Sequence, residues 1–300
     1  MAEQDLWWGA GRGLQRAKPA VKPLKGEDMG EENQEQIEYW NDRAGATWTE
    51  MQERLDAMLA PISNEVIKRL GATSGEQILD VGCGCGDTSI AIHEAGASVV
   101  GVDISAPMLA RARSRSSSVE FIEADAANHK FTTQFDAVFS RFGVMFFAEP
   151  NKAFKNLRGA LKPDGRLQFV CWQPPQHNPW MSITGRAVQR FLSQPDTKPD
   201  PKAPGPFAFA EPAYVQEILT QAGFNNIEVQ SYTCALKIAN TLSEAIVMQT
   251  KIGPAARALV ELEPAQRNEA LQAVEAVLAE HSSDAGIALD SAVWMVSATA

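Results

Sequence analysis

Apolar positions along the chain change period several times, and each change marks an element. Over residues 33–70 they fall at helical spacing: Ile37, Trp40, Ala44, Trp48, Met51, Leu55, Met58 and Leu59. Pro61 predicts a break, with a new segment carried on by Val66, Ile67 and Leu70. Ile78, Leu79 and Val81 make a short run, enough for one buried strand. Gly82, Gly84 and Gly86 follow, then a helical stretch over 87–95, with Gly96 where a C-terminal cap falls. Residues 98–102 predict a second strand ending in Asp103. Ser105 as N-cap and Pro107 in the first turn predict a helix to about residue 115. Further strands are predicted over 119–123, 135–140 and 166–171, with a helix over 151–161 closed by Pro163-Asp164-Gly165. The alternation then pauses. An apolar helix is predicted over 179–192, and residues 194–212 hold six prolines in nineteen positions, which suits a lid better than a linker. A helix over 214–223 and a strand over 227–232 resume the pattern. Residues 241–281 read as mostly helical and 286–297 as a final strand. Residues 1–32 show no period and read as a flexible tail.

Strands alternating with helices call for a parallel, doubly wound α/β sheet with right-handed crossovers. Ligands in such sheets sit beyond the C-terminal strand ends, where Asp80, Asp103, Asp125 and Ser140 fall. The glycine turn after the first strand presents bare backbone N–H groups at a helix start. Asp80 beside it would repel a pyrophosphate and attract an ammonium or a sulfonium. A dinucleotide turn, G-x-G-x-x-G, needs its third glycine at position 87, which is Asp87.

The formal net charge of −10 and pI near 5.0 argue against a nucleic-acid partner. The four cysteines, Cys83, Cys85, Cys171 and Cys234, have neither disulfide nor zinc spacing, which fits a reducing cytoplasm. No apolar run approaches the roughly 20 residues of a membrane span, and the N-terminus lacks an apolar signal core.

The run Asp80-Val81-Gly82-Cys83-Gly84-Cys85-Gly86 resembles motif I of the class I S-adenosylmethionine-dependent methyltransferases, D/E-x-G-x-G-x-G, in full. The segments SRFGVMFF and LKPDGRLQFVCW resemble the bacterial small-molecule enzymes of that family, and the resemblance covers residues 33–300. It implies a Rossmann-like, seven-stranded sheet whose last strand is antiparallel, with a helical N-terminal cover, a lid over 172–215 and a helical insertion over 240–283 on the substrate side. It implies S-adenosyl-L-methionine as methyl donor, with Gly82, Gly84 and Gly86 as its backbone cradle. Asp103 would accept from the ribose hydroxyls, and Asp125 with Ala126 would meet the adenine edge. Ile104 and Met108 would flank the adenosine. The carbonyl of Ser140, opposite Gly82, would hold the methionine amine. Trp40 and Trp48 would close the methionine end, and Arg43 or Arg54 would meet its carboxylate.

The acceptor side would take Arg141, Phe146, Trp172 and Trp180, which suit a small apolar or aromatic molecule. His177, between two prolines, is the placed candidate for a general base, needed only where the acceptor atom is protonated. No metal is expected. Two other readings stay open: a nicotinamide-dependent reductase, disfavoured by the glycine register and the absence of a Tyr-x-x-x-Lys pair, and a non-catalytic adenosyl-binding protein.

Overall fold

The computed structural model describes residues 33–192 and 200–300, so the tail over 1–32 and part of the proline-rich stretch, 193–199, lie outside the described residues. Three helices open the fold: α1 (Gln34–Asn41), α2 (Arg43–Glu50) and α3 (Gln52–Leu70). Pro61 does not break the third. It sits on the exposed side of α3, while Leu55, Met58, Leu59, Ile62, Val66 and Leu70 form one continuous buried stripe. The stripe's packing outweighs the missing backbone donor. The breaks fall instead at Asp42, whose non-helical ψ of −138° ends α1, and at Met51.

The alternating part follows as β1 (Gln77–Val81), α4 (Asp87–Glu94), β2 (Ser98–Asp103), α5 (Ala106–Arg115), β3 (Glu120–Glu123), β4 (Phe135–Arg141), α6 (Pro150–Ala160) and β5 (Leu161–Trp172). The remainder is α7 (Pro179–Gln189), α8 (Pro212–Gln221), β6 (Asn225–Ala239), α9 (Leu242–Lys251), α10 (Pro254–Glu261), α11 (Pro264–Ala279), the two-residue β7 (Ser282–Ser283) and β8 (Gly286–Thr299). The sheet order is β3-β2-β1-β4-β5-β8-β6, with β7 hydrogen-bonded to β8 alone among the described residues. The strands from β3 to β5 are parallel, whereas β8 runs antiparallel to both β5 and β6. This is the Rossmann-like arrangement with an antiparallel last strand that the sequence predicts, with β7 as a minor addition. The chain reverses its direction of winding between β1 and β4, so the ligand crevice opens at the C-terminal ends of these strands.

The described part of the proline-rich stretch is packed onto this sheet. Gly205 N–H donates to Met145 C=O at 3.1 Å, and the Trp294 indole donates to Ala210 C=O at 2.7 Å. Phe209 is fully buried, 6.1 Å from the Phe154 ring and 6.4 Å from Phe169. The insertion between β6 and β8 lays α10 and α11 against α7, where Ala255, Ala258, Leu259, Val274 and Leu278 are buried. No helix among the described residues is long and apolar enough to cross a membrane.

Candidate active site

One cavity of about 580 Å³ runs from the glycine turn to an aromatic wall. At the turn, Gly82, Gly84 and Gly86 all adopt positive φ, 68°, 54° and 82°. At Gly82 the space is closed as well: an added Cβ would lie 2.6 Å from Gly143 Cα, so a side chain there would push the β4 loop away. The turn is pinned from below, where Gly82 N–H donates to Val102 C=O at 2.8 Å. Gly82 and Gly84 line the cavity, whereas Gly86 packs toward Phe121 and Ala112 beneath it.

Asp80 lies below the turn, fully buried. Its Oδ2 accepts from Thr88 Oγ1 at 2.8 Å and Ser89 Oγ at 2.6 Å, while Oδ1 has no hydrogen-bond partner among the described residues. Burial pushes its pKa up to about 6, against the two hydroxyl bonds and the Arg141 charge. Asp103 closes the loop at the end of β2. Its Oδ2 accepts from Gly84 N–H and its Oδ1 from Ser105 N–H, both at 2.8 Å. Burial also raises its pKa, with these amide bonds opposing the shift. Asp125 accepts from Ala127 N–H at 2.9 Å and from Asn128 Nδ2 at 2.8 Å, and with Ala126, Ile104 and Met108 it lines the same end of the cavity.

Ser140 is fully buried and outside the cavity lining. Its hydroxyl donates to Val81 C=O at 2.7 Å and accepts from Gly143 N–H at 3.2 Å. The side chain therefore fastens β1 to the turn after β4, where Phe142 adopts a positive φ of 63°.

Arg141 does line the cavity, but at the glycine-turn end and not at the aromatic end, where the acceptor was expected. Its guanidinium donates to Ser63 Oγ at 2.8 Å and Asp87 Oδ2 at 3.1 Å, and lies 3.5 Å from Asp56 Oδ1. Arg115 meets the same two carboxylates, at 3.2 Å from Asp56 and 3.5 Å from Asp87, and donates to Cys85 C=O. Asp56, on α3, was not visible as a site residue in the sequence. The one signal is a carboxylate beside the apolar stripe of Leu55, Met58 and Leu59. Burial raises its pKa, although Arg141 draws it down. Burial also raises the Cys83 thiol and lifts Cys85 to about 11, which keeps both protonated at neutral pH.

The far half of the cavity is aromatic. Phe142 stacks on Trp172 with ring centroids 4.1 Å apart and planes 6° from parallel, and Trp180 lies 5.0 Å from Trp172. Trp40 packs edge-on against Phe146 at 5.2 Å and Trp48 at 5.8 Å. The backbone around Trp40, expected at the methionine end, is fastened to the loop after β2: Ser105 Oγ donates to Trp40 C=O at 2.8 Å. Residues of the insertion complete the wall, among them Gln249, Lys251 and Arg257. They carry no local sequence signal, because only tertiary packing brings them over the crevice.

His177 stands apart. It is exposed on a 3-10 turn, its Nδ1 3.3 Å from Gln173 Oε1, on a second cleft of about 540 Å³ shared with Ser231, Cys234 and Asp290. It does not line the main cavity, so the structure places no base there at this position.

Comparison with known proteins agrees with this geometry. Residues 78–165 match the family model described as a methyltransferase domain. The chain is 33% identical over 128 residues to the demethylmenaquinone methyltransferase of Renibacterium salmoninarum, covering 42% of this chain and 54% of that protein. It is 30% identical over 135 residues to the malonyl-[acyl-carrier protein] O-methyltransferase of Pseudescherichia vulneris, covering 43% and 54%. The chain thus spans about half the length of the curated relatives it matches. The fold is shared with the YcgJ protein of Bacillus subtilis, at a TM-score of 0.53 and 16% identity over 79% of this chain and 97% of that one. With the complete glycine motif, the strand order and the matched segment in agreement, residues 78–165 form a methyltransferase domain of the kind found in the relatives that the chain resembles.

Proposed function

We propose that the protein transfers a methyl group from S-adenosylmethionine to a small, apolar or aromatic acceptor. The observation that carries this reading is the continuity of the cavity. The glycine turn, Asp103 and Asp125 line one end, and Phe142, Phe146, Trp172 and Trp180 line the other, with no wall between them. Its volume, about 580 Å³, lies within the range of small-molecule sites.

The residues present fit the donor. Gly82 and Gly84 leave backbone open to it, Asp103 and Asp125 each keep acceptor capacity beyond the amides they hold, and Ile104 and Met108 supply apolar flanks. Asp80 sets a carboxylate directly beneath the turn, on the side that would face a cationic donor. The bound donor supplies a methyl group already activated on a sulfonium. What remains for the chain is to orient the acceptor and exclude water, which the aromatic wall, α9–α10 and the packed residues 205–210 do. Arg141 holds the glycine turn, and the acceptor wall is left to Phe146, Trp172 and Trp180. We assign residues 33–300 to one catalytic domain. We place it in the cytoplasm, a reading supported by four unpaired cysteines.

The test is ligand-dependent melting followed by transfer of a labelled methyl group to candidate aromatic acceptors. S-adenosylmethionine or S-adenosylhomocysteine at about 100-fold excess over Kd should stabilise the fold by ~2.7 kcal/mol. NADH should give no comparable shift. Equal shifts would revive the reductase reading, and binding without transfer to any acceptor would favour a non-catalytic adenosyl-binding protein.

A further inference from the structure

The N-terminal cover, α1 and α2, is fastened at two places of different character. On the acceptor side Glu50 Oε1 meets Lys251 Nζ at 2.5 Å, and the Arg257 guanidinium lies 5.1 Å over the Tyr39 ring. On the other side Ser105 Oγ donates to Trp40 C=O, and one side chain adds a pair of directed hydrogen bonds. Asn41 Nδ2 donates to Ile104 C=O at 2.7 Å, and Asn41 Oδ1 accepts from Ala106 N–H at 2.9 Å. The partners lie 63 and 65 residues away in sequence, so the amide bridges two separate elements.

The loop it grips is the one that carries Asp103. Asp103 takes Ser105 N–H, and Asn41 takes the carbonyl before and the amide after that residue. Residues 103–106 are therefore held from both sides. The fit is close, since an added Cβ at Gly45 of α2 would lie 2.7 Å from Ser105 Oγ and 3.1 Å from Pro107 Cγ. Asn41 is itself exposed, so water can replace its two partners on this loop.

We propose that Asn41 is a positioning residue that latches the cover onto the Asp103 loop, and that this latch sets how long the adenosyl ligand stays bound. The proposal rests on the reading that this end of the cavity holds the adenosyl ligand. With the latch closed, α1 and α2 lie across the cavity above Ile104. With it open, the cover stays tethered through Glu50 and Lys251 and through Ser105 and Trp40, and the adenosine end is less closely covered.

The experiment measures S-adenosylhomocysteine association and dissociation by surface plasmon resonance on the full chain and on Asn41→Ala. The variant should release the ligand about tenfold faster, equivalent to about 1.4 kcal/mol, with little change in the association rate. The melting temperature without ligand should not change. Hydrogen exchange over residues 34–50 should slow on ligand binding in the wild type and not in the variant. Asn41→Asp keeps the acceptor for Ala106 N–H and loses the donor to Ile104 C=O, so it should also dissociate faster. An unchanged dissociation rate with residues 34–50 still protected would overturn the latch. So would a variant whose ligand-free melting temperature falls together with its affinity, since that marks a general packing role. A wild-type chain that binds no S-adenosylhomocysteine would overturn the functional reading as well.

Discussion

Asp80 Oδ2 takes two hydroxyl hydrogen bonds and Oδ1 takes none, in a side chain with no solvent exposure. Its pKa of about 6 stands above the ordinary 3.8, so the folded protein holds the proton more tightly than the unfolded chain. The associated stability is fully present below pH 3.8 and is lost as pH rises through about 6. The cost of ionising this carboxylate in place is then about 3 kcal/mol. Asp80→Asn avoids that cost while keeping an oxygen for Thr88 and Ser89. Its ligand-free melting temperature should equal the wild type's near pH 4 and exceed it at pH 8, whereas its affinity for S-adenosylmethionine should fall tenfold or more. A melting-temperature difference that does not grow between these pH values would show that Asp80 ionises as readily in the ligand-free fold as in the unfolded chain. Ser140 works differently, in that its hydroxyl ties β1 to the Phe142 turn and so shapes the cavity without lining it.

At the scale of elements, α3 shows how packing overrules a local signal. Pro61 removes one backbone donor from the middle of a 19-residue helix, on its exposed side. Pro61→Ala should restore the bond with no steric cost and raise stability by ~1–3 kcal/mol, read from urea unfolding. A loss of stability would mean that the proline's restriction of the unfolded chain matters more. The parallel strands and the glycine turn were legible in the sequence because their signals are local: β-branched runs, alternate glycines and an acid at each strand end. The bounds were less so. β6 runs over Asn225–Ala239, well past the predicted 227–232, because its alternating residues satisfy an antiparallel partner whose length no local pattern reports. Gly82, Gly84, Asp103, Ile104, Met108, Asp125 and Ala126, which line the glycine-turn end of the cavity, were all named in advance. Arg141 was expected toward the acceptor, but Asp56 and Asp87 draw its charge to the glycine turn. His177 stood out by its flanking prolines, a signal of turn geometry that carries no information about which cleft the turn faces.

Taken as a whole, the molecule depends on the seating of β8. It is the sole sheet partner of both β6 and β7 among the described residues, and it joins them to β5 from Arg166 to Trp172. Ending the chain at residue 285 should therefore do more than shorten it. β6 loses its ladder, Trp294 no longer holds Ala210, and Gln173 and Asn178 lose their partners at Val293 and Ala292. Such a chain should show no cooperative thermal transition by circular dichroism. A sharp transition near the full chain's would mean that the first five strands suffice on their own.

The tryptophans have a practical consequence. Five fall within the described residues, and four of them, Trp40, Trp48, Trp172 and Trp180, line the cavity. Two ride on the cover and two on the aromatic wall, so the emission of these residues is weighted toward the cavity. A purine entering beside the cover and an aromatic acceptor stacking on Trp172 alter different members of this set. The protein thus carries its own optical reporter, in which quenching and spectral shift separate arrival at one end of the cavity from arrival at the other.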